Sequence, residues 1–403
     1  MTDTQHDSRY SWIRLGLSLV MAIAGSVGIW ASVVVMPSIQ SELGLNRADA
    51  TYPFIASMLG FATGNLLMGR AIDRWSITPV LMAGAVLSAI GFAGSAMSTD
   101  LWQLTVLHVF AGLGASVCFG PLIADASQWF MVRRGIAVAI AASGNYLSGA
   151  FWPPIIVWIS GPDGWRTGYV LLAVACLVVL IPGALLLRRQ IDEVSNARAT
   201  EAAASQAASI NISPRTLQAL LAVAGVACCV AMSMPQVHIV ALSIDRGFGA
   251  AAGADMLSLM LLGGVVSRLI SGWLADRLGG LPVLLLGSVL QMSALCLFLI
   301  NGGLTSLYLI SLIFGLSQGG IVPSYAIIVR QFMPPKEAGR RVGLVMFSTV
   351  LGMALGGYLS GWLYDATGSY AAAVWNGVGW NLINASIAIF LLLRITGRRQ
   401  AVA

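Results

Sequence analysis

Charged residues are scarce in this sequence. Asp, Glu, Lys and Arg together make up 9% of its 403 residues, whereas apolar residues make up 58%. A soluble domain averages about 25% charged residues and needs them to cover its surface, so this composition excludes a water-soluble fold. Disorder is excluded as well, because disordered chains are poor in apolar residues. The sequence therefore predicts a protein whose surroundings are lipid.

Several functional motifs are missing too. The five cysteines are odd in number and lack metal-ligand spacing, so we expect packing residues, with no metal and no cofactor. The absence of a Gly-x-x-x-x-Gly-Lys loop excludes an ATP-driven pump, and no nucleophile–base pair indicates an enzyme. The basic residues alternate with apolar blocks instead of forming one soluble face, so no nucleic-acid partner is expected.

Apolar residues fill the chain in blocks of about 20 residues, the length that an α-helix needs to cross about 30 Å of hydrocarbon. The alternation typical of a membrane β-barrel is absent. The polar first 13 residues contain no cleavable signal peptide, so we expect the first helix to be retained. The predicted fold class is an all-α integral membrane protein with 12 transmembrane helices. The predicted spans are 14–37, 50–70, 78–97, 102–127, 136–159, 165–188, 215–239, 253–276, 281–300, 305–329, 342–364 and 372–394.

The basic residues predict the orientation of these spans. With 12 spans both termini lie on one side, and 18 of the 22 Lys and Arg residues fall on that side. Because cytoplasmic loops carry the excess of basic residues, both termini are expected in the cytoplasm, for a protein of the cell inner (plasma) membrane. The opposite side carries Arg47, Arg166 and Arg246.

The chain divides into two similar halves. Its longest polar stretch is expected to be a cytoplasmic linker at 191–213, between an N-terminal six-helix bundle (1–190) and a C-terminal six-helix bundle (214–403). The run Gly69-Arg70-Ala71-Ile72-Asp73-Arg74 returns 203 residues later as Gly272-Trp273-Leu274-Ala275-Asp276-Arg277. Two pseudo-symmetric six-helix repeats are typical of secondary transporters, with the site between them near the midplane.

The repeated Gly-x-x-x-Asp-Arg run resembles the loop signature of the major facilitator superfamily, and the resemblance covers nearly the whole chain. The basic residues that extend the signature in that family are missing from both copies. The resemblance implies the major facilitator fold and a cytoplasmic gate formed by Asp73, Arg74, Asp276 and Arg277. The alternative is that these side chains only anchor the loops at the lipid headgroups.

Arg268 is the one basic residue in the middle of a predicted span instead of near its ends, slightly to the cytoplasmic side of the centre of the eighth span. An arginine there costs about 2.5–3.5 kcal/mol on insertion scales and stays protonated. Its planar guanidinium matches a carboxylate, so we predict that it binds an anionic substrate. A single cation favours a monoanion. The alternative is an internal ion pair, for which Asp125 is the available acid.

Residues in and before the eighth span indicate which branch of the superfamily the chain resembles. His238, Asp245-Arg246-Gly247-Phe248 and the run from Arg268 to Arg277 resemble the monocarboxylate porters and their oxalate–formate relatives. In that branch the matching arginine contacts the substrate carboxylate, which implies this role for Arg268. Animal members carry an Asp one turn earlier, where Gly264 stands here, and a Lys in the first span that is missing from residues 31–37.

Further polar residues are candidates for the cavity. Asn145 and Tyr146 in the fifth span, and Gln318 and Tyr325 in the tenth, could read a hydroxyl or keto group beside the carboxylate. Their alternative role is interhelical hydrogen bonding. The candidates for carrying a proton are His108, His238 and Asp125. A histidine titrates near neutral pH, although a hydrogen-bonded packing role is the alternative for His108.

These features predict a secondary active transporter that carries a small monocarboxylate of the lactate or pyruvate kind together with a proton, by alternating access. The alternative is an exporter or exchanger of another organic anion or a drug on the same fold. A channel is disfavoured because the two-half repeat indicates alternating access. The expected partners are the organic anion, the proton and the lipid bilayer, and the protein is expected to be monomeric.

Overall fold

The structure is a computed structural model that describes residues 6–45, 49, 52–160, 164–192, 197, 199, 201–203, 205, 212–300 and 302–402. Within these residues the secondary structure is helical and contains no strand. Three predictions lie wholly or partly outside the described residues: Arg47, Arg198 as one of the 18 basic residues on the side of the termini, and most of the linker 191–213. The α-helices are α1 (Arg9–Gly25), α2 (Val27–Glu42), α3 (Tyr52–Trp75), α4 (Ile77–Met97), α5 (Leu101–Ser116), α6 (Gly120–Trp129), α7 (Arg134–Ser160), α8 (Trp165–Leu186), α9 (Pro214–Asp245), α10 (Gly249–Leu278), α11 (Gly280–Cys296), α12 (Leu304–Gln318), α13 (Ile321–Phe332), α14 (Ala338–Thr367) and α15 (Tyr370–Val402).

The helices coincide with the predicted spans, and the all-α prediction is confirmed. Among the described residues, 11 helical segments are long and apolar enough to cross a membrane, and the 27-residue α7 covers the remaining predicted span. Large apolar side chains such as Trp102 and Val178 are exposed on the helix surfaces. Such surfaces suit hydrocarbon rather than water.

Three predicted spans are broken helices, which the apolar pattern did not reveal. The first span divides at Ser26, the fourth between Ser116 and Gly120, and the tenth between Gln318 and Ile321. In the fourth span, the amides of Val117, Cys118 and Phe119 each bond back to the carbonyl three residues earlier. This tighter winding ends the α-helical pattern, so the following helix begins with amides that need other acceptors.

The chain forms two compact units. The first contains residues 1–130, 140–195 and 336–347, and the second contains residues 131–139, 196–335 and 348–403. In the first unit α3 packs on α5 and α4 packs on α8, and in the second α10 packs on α12 and α11 packs on α15. The two units thus repeat the same helix pairs, as expected from the repeated motif. The amino end of α7 belongs to the second unit and that of α14 to the first.

Glycines set the closest helix contacts at matching places in both units. A Cβ on Gly112 of α5 would lie 2.0 Å from the Ser57 carbonyl oxygen on α3, and a Cβ on Gly315 of α12 would lie 2.2 Å from the Met260 carbonyl oxygen on α10. Gly112 and Gly315 are 203 residues apart, and so are Ser57 and Met260. Only glycine permits these backbones to approach so closely.

Candidate functional site

Arg268 lies on α10 and is 3% exposed. Its Nε donates to the carbonyl oxygen of Gly319 at 3.2 Å, in the break between α12 and α13. The approach is close, because a Cβ on Gly319 would lie 2.2 Å from the Gly264 carbonyl oxygen. The break exposes a backbone carbonyl that α12 cannot satisfy, and the arginine supplies a charged donor to it.

The two candidates of the tenth span have different surroundings. Gln318 is the last residue of α12, is fully buried, and directly precedes the carbonyl that Arg268 holds. Tyr325 on α13 is also fully buried, but its hydroxyl donates to Asn384 Oδ1 on α15 at 2.9 Å. Asn384 in turn donates to the Ser288 hydroxyl on α11 at 2.7 Å. The structure therefore brings Gln318 beside the Arg268 contact and directs Tyr325 into an interhelical network.

Asn145 and Tyr146 lie on α7 in the first unit and are almost fully buried. Their helix is held tightly: a Cβ on the preceding Gly144 would lie 2.4 Å from the Ala22 Cβ on α1. The indole nitrogen of Trp30 donates to the Asn145 carbonyl oxygen at 3.1 Å. This backbone contact fixes the position of α7 at the point where it carries both polar side chains.

His108 is buried on α5, and both of its ring nitrogens are hydrogen-bonded. Nδ1 lies 2.8 Å from the Leu104 carbonyl oxygen and Nε2 lies 2.9 Å from the Tyr169 hydroxyl on α8. A carbonyl can only accept, so Nδ1 carries the hydrogen, and in the neutral ring Nε2 accepts from Tyr169. These hydrogen bonds are compatible with both roles considered for His108, packing and proton carriage.

His238 lies on α9 in the second unit, between α14 and α15. Its Nε2 lies 2.9 Å from the Gly357 carbonyl oxygen, and its Nδ1 lies 3.4 Å from the Tyr370 hydroxyl. The Tyr370 ring also packs on Tyr364, with the centroids 4.4 Å apart. His238 therefore belongs to an aromatic cluster at one end of the second unit.

Asp125 on α6 forms a buried ion pair with Arg14 on α1. Arg14 Nε donates to Oδ2 at 2.8 Å and Nη2 donates to Oδ1 at 2.7 Å. Arg14 Nη1 also donates to the carbonyl oxygens of Leu187 and Arg189 after α8, and its guanidinium lies 4.6 Å above the Trp129 ring. The acid considered as an internal partner for Arg268 is thus bound on both oxygens by Arg14, one of the 18 basic residues counted on the side of the termini.

The Asp of each Gly-x-x-x-Asp-Arg run caps a helix. The Asp73 carboxylate accepts from the backbone amides of Gly339 at 2.9 Å and Arg340 at 2.7 Å, at the start of α14. The Asp276 carboxylate accepts from the amides of Gly135 and Ile136, at the start of α7. Carboxylates are favoured there because the first amides of a helix lack partners and its dipole is positive at that end.

The glycine of each run, four residues before the Asp, lies against the backbone of the helix that the Asp caps. A Cβ on Gly69 would lie 2.5 Å from the Gly339 carbonyl oxygen, and a Cβ on Gly272 would lie 2.6 Å from the Gly135 carbonyl oxygen. The glycine admits the neighbouring helix end, and the Asp one turn later caps it. The following arginines lie over indole rings, Arg74 over Trp75 at 5.5 Å and Arg277 over Trp273 at 3.8 Å.

Asn65 is a buried polar residue that the sequence interpretation missed. Its Oδ1 accepts from the Gly120 amide at 3.1 Å, at the start of α6. A signal for it was present, because Asn65 lies 203 residues before Arg268, the offset of the repeated motif. Arg14 was missed for a different reason: its burial depends on Asp125, which is 111 residues away.

The helical repeats and long apolar helices define a multi-pass membrane transporter fold. The sequence profile of the Major Facilitator Superfamily matches residues 18–254 and 219–402, and the chain belongs to this superfamily. The chain is similar to monocarboxylate transporter 11 of Homo sapiens, with 31% identity over 320 residues that cover 76% of this chain and 67% of that protein. It is also similar to monocarboxylate transporter 13 of Rattus norvegicus, with 28% identity over 360 residues, or 88% and 82% of the two chains.

Solved structures support the same fold. The E. coli fucose:proton symporter has a TM-score of 0.69 at 15% identity, over 96% of this chain and 99% of that one. The proton:xylose symporter XylE has a TM-score of 0.72 at 13% identity, over 97% of both chains. The predicted major facilitator fold, with 12 transmembrane helices in two pseudo-symmetric six-helix bundles, is confirmed.

Proposed function

We propose that this protein is a secondary active transporter of a small monocarboxylate, such as lactate or pyruvate, and that Arg268 binds the carboxylate. The observation that carries the proposal is a guanidinium that is 3% exposed on a membrane helix and held at the break between α12 and α13. The similarity to monocarboxylate transporters supports the same substrate class.

The guanidinium of Arg268 is the group to which we assign the substrate carboxylate. A planar guanidinium can form two parallel hydrogen bonds with a carboxylate, and its Nε is held by the Gly319 carbonyl oxygen. Gln318, next to that carbonyl, is assigned to a hydroxyl or keto group on the substrate. We also propose Asn145, Tyr146 and Tyr325 as substrate-binding residues, with Tyr325 exchanging its bond to Asn384 for one to the substrate.

Proton coupling is the second part of the proposal, and His108 is the first candidate to carry the proton. On protonation its Nε2 becomes a donor, and the Tyr169 hydroxyl can reverse its role and accept. The 2.9 Å contact can therefore persist in both charge states. Asp125 would lose one of its two bonds to Arg14 on taking up a proton, and His238 would have to change its contacts with Gly357 and Tyr370. These two are the weaker candidates.

We further propose that Asp73, Arg74, Asp276 and Arg277 form the cytoplasmic gate. The helix caps made by the two carboxylates are contacts that can break and re-form in alternating access, because each consists of two backbone amides and one exposed or half-buried side chain. The excess of Lys and Arg on the side of the termini supports cytoplasmic termini, and we propose the inner (plasma) membrane as the location. A monomer is the proposed working form.

The experiment is uptake of labelled L-lactate by the purified protein in liposomes, with and without an inward proton gradient. We expect saturable uptake that the gradient stimulates and that shows counterflow. Arg268→Gln should lower kcat/KM by about 100-fold, because a hydrogen bond to a charged group contributes roughly 1.5–3 kcal/mol. Arg246→Gln is the matched control: it removes the same charge from the end of α9, where the side chain donates to Phe298 and Ile300 carbonyls.

Two results would contradict the proposal. Equal losses in Arg268→Gln and Arg246→Gln would remove the specific role of Arg268. No uptake of lactate, pyruvate or related acids by folded wild-type protein would exclude the substrate class. If uptake is present, His108→Gln should abolish the stimulation by the gradient while leaving counterflow intact.

A second candidate is export or exchange of another organic anion or a drug on the same fold. The similarity extends to a relative whose name gives no substrate, the MFS-type transporter pynF of Aspergillus niger, with 26% identity over 307 residues, so the relatives are not confined to monocarboxylate transporters. Larger aromatic and aliphatic acids would be tested as competitors of labelled lactate uptake in the same liposomes. Inhibition of this uptake by the larger acids, with none by other small monocarboxylates, would favour the second candidate.

A further inference from the structure

Asn65 is a fully buried amide on α3 that joins two helices. Its Nδ2 donates to the Phe61 carbonyl oxygen one turn back on α3 at 2.8 Å. Its Oδ1 accepts from the amide of Gly120, the first residue of α6, at 3.1 Å. A Cβ on Gly120 would lie 2.5 Å from Asn65 Oδ1, so a glycine is needed at this point of the break.

The Gly120 amide depends on this contact. The three amides before it bond back to carbonyls three residues earlier, and the first amides of α6 have no acceptor within their own helix. In an apolar environment a backbone amide without a partner is costly. Asn65 therefore supplies the acceptor that allows the chain to leave α5 and begin α6 inside the apolar region.

Arg268 occupies the corresponding place in the second unit. It lies 203 residues after Asn65, on the helix that repeats α3, and its Nε donates to the Gly319 carbonyl oxygen at the end of α12. The two side chains bind opposite backbone groups: Asn65 accepts from an amide that begins a helix, and Arg268 donates to a carbonyl that ends one. In each unit, a side chain on α3 or on the equivalent helix α10 hydrogen-bonds to the backbone at the break in the neighbouring span.

We propose that Asn65 is a positioning residue for transport, which holds the break between α5 and α6 as Arg268 holds the break between α12 and α13. The proposal rests on the proposed transport function. It has a direct consequence for proton coupling, because α5 carries His108 and α6 carries Asp125. The angle between the two half-helices, and with it the surroundings of both candidate proton carriers, depends on the Asn65 contact.

The test compares variants at Asn65 in two measurements. Asn65→Leu keeps the γ-branched shape but removes the acceptor, whereas Asn65→Asp keeps the acceptor and, in the protonated form that burial favours, also a donor for the Phe61 carbonyl oxygen. Asn65→Ser is a smaller variant, too short to reach Gly120, for use if the leucine variant does not fold. Thr63→Val is the control, since Thr63 is exposed on α3 and its hydroxyl bonds only to the Leu59 carbonyl oxygen in the described contacts.

The first measurement is hydrogen–deuterium exchange of the peptide over residues 117–123 in the purified protein, which requires no substrate. Asn65→Leu should raise its exchange rate by about tenfold, the factor that corresponds to about 1.4 kcal/mol, and Asn65→Asp should leave it near wild type. The second is transport in liposomes, where Asn65→Leu should lower kcat by about tenfold with KM changed less than about twofold, and Asn65→Asp should restore kcat.

Each outcome decides the proposal. Faster exchange together with lower kcat, both rescued by Asn65→Asp, supports it. Unchanged exchange in Asn65→Leu overturns it, and so does faster exchange with unaltered kcat. An equal loss of kcat in Thr63→Val also overturns it. If wild-type protein carries none of the acids tested, the transport proposal fails, and the exchange measurement alone then decides whether Asn65 holds the break.

Discussion

The buried pair of Arg14 and Asp125 offers a quantitative test of the structure. Replacing Asp125 by Asn leaves the Arg14 guanidinium buried without its anion, since the side chains are only 3% and 7% exposed. Removing one partner of a buried pair typically costs about 3–5 kcal/mol. Arg14→Met should cost a similar amount, because it leaves the carboxylate buried and frees the carbonyls of Leu187 and Arg189 from their donor.

A double variant distinguishes the loss of the ion pair from unrelated destabilisation by the two single substitutions. Replacing a buried ion pair by apolar residues of similar volume is often nearly neutral, so Arg14→Met with Asp125→Leu should lose no more than about 2 kcal/mol. The free energy of unfolding would be measured in dodecylmaltoside micelles titrated with sodium dodecyl sulfate, with tryptophan fluorescence as the signal. Additive losses in the double variant, or a loss below about 1 kcal/mol in Asp125→Asn, would refute the reasoning.

Two further predictions concern sites nearer the helix ends. Arg166 donates to Glu42 and holds the pKa of that carboxyl below its usual value; the contribution to stability is therefore present at neutral pH and is lost as the pH falls through the lowered pKa. Because the pair is exposed, Glu42→Gln should cost less than about 1 kcal/mol in the same unfolding assay, and a larger loss would contradict this. Gly272→Val should clash with the Gly135 carbonyl oxygen, 2.6 Å from the added Cβ. We expect a loss of about 1–3 kcal/mol, and no change in the unfolding midpoint would show that α7 does not begin at this contact.

The repeated motif has a structural meaning that extends the family resemblance. In each copy the glycine admits a neighbouring helix end, and the aspartate caps that end. The segments that Asp73 and Asp276 cap, at the starts of α14 and α7, belong to the same compact unit as the aspartate. Each aspartate therefore contacts a helix start that the order of the sequence would place in the other half of the chain.

Much of the fold could be predicted because lipid imposes strict requirements on a sequence. Each membrane helix must be apolar over about 20 residues and must satisfy its own backbone, so the number and positions of the spans follow from composition. The repeat of Gly-x-x-x-Asp-Arg at an offset of 203 residues indicated two equivalent halves. Arg268 stood out for the same reason, since a charge within an apolar block is costly.

The tertiary structure decided what depends on contacts between distant residues. The breaks after Ser116 and Gln318 lie within continuous apolar runs, and the freed backbone groups are bound by distant side chains, Asn65 in one unit and Arg268 in the other. The amino-acid sequence by itself determined a membrane protein of two similar six-helix halves, because few backbone structures can span hydrocarbon. Which polar groups meet inside each unit, such as Arg14 and Asp125, was decided only by helix packing, because partners more than 100 residues apart leave no local pattern.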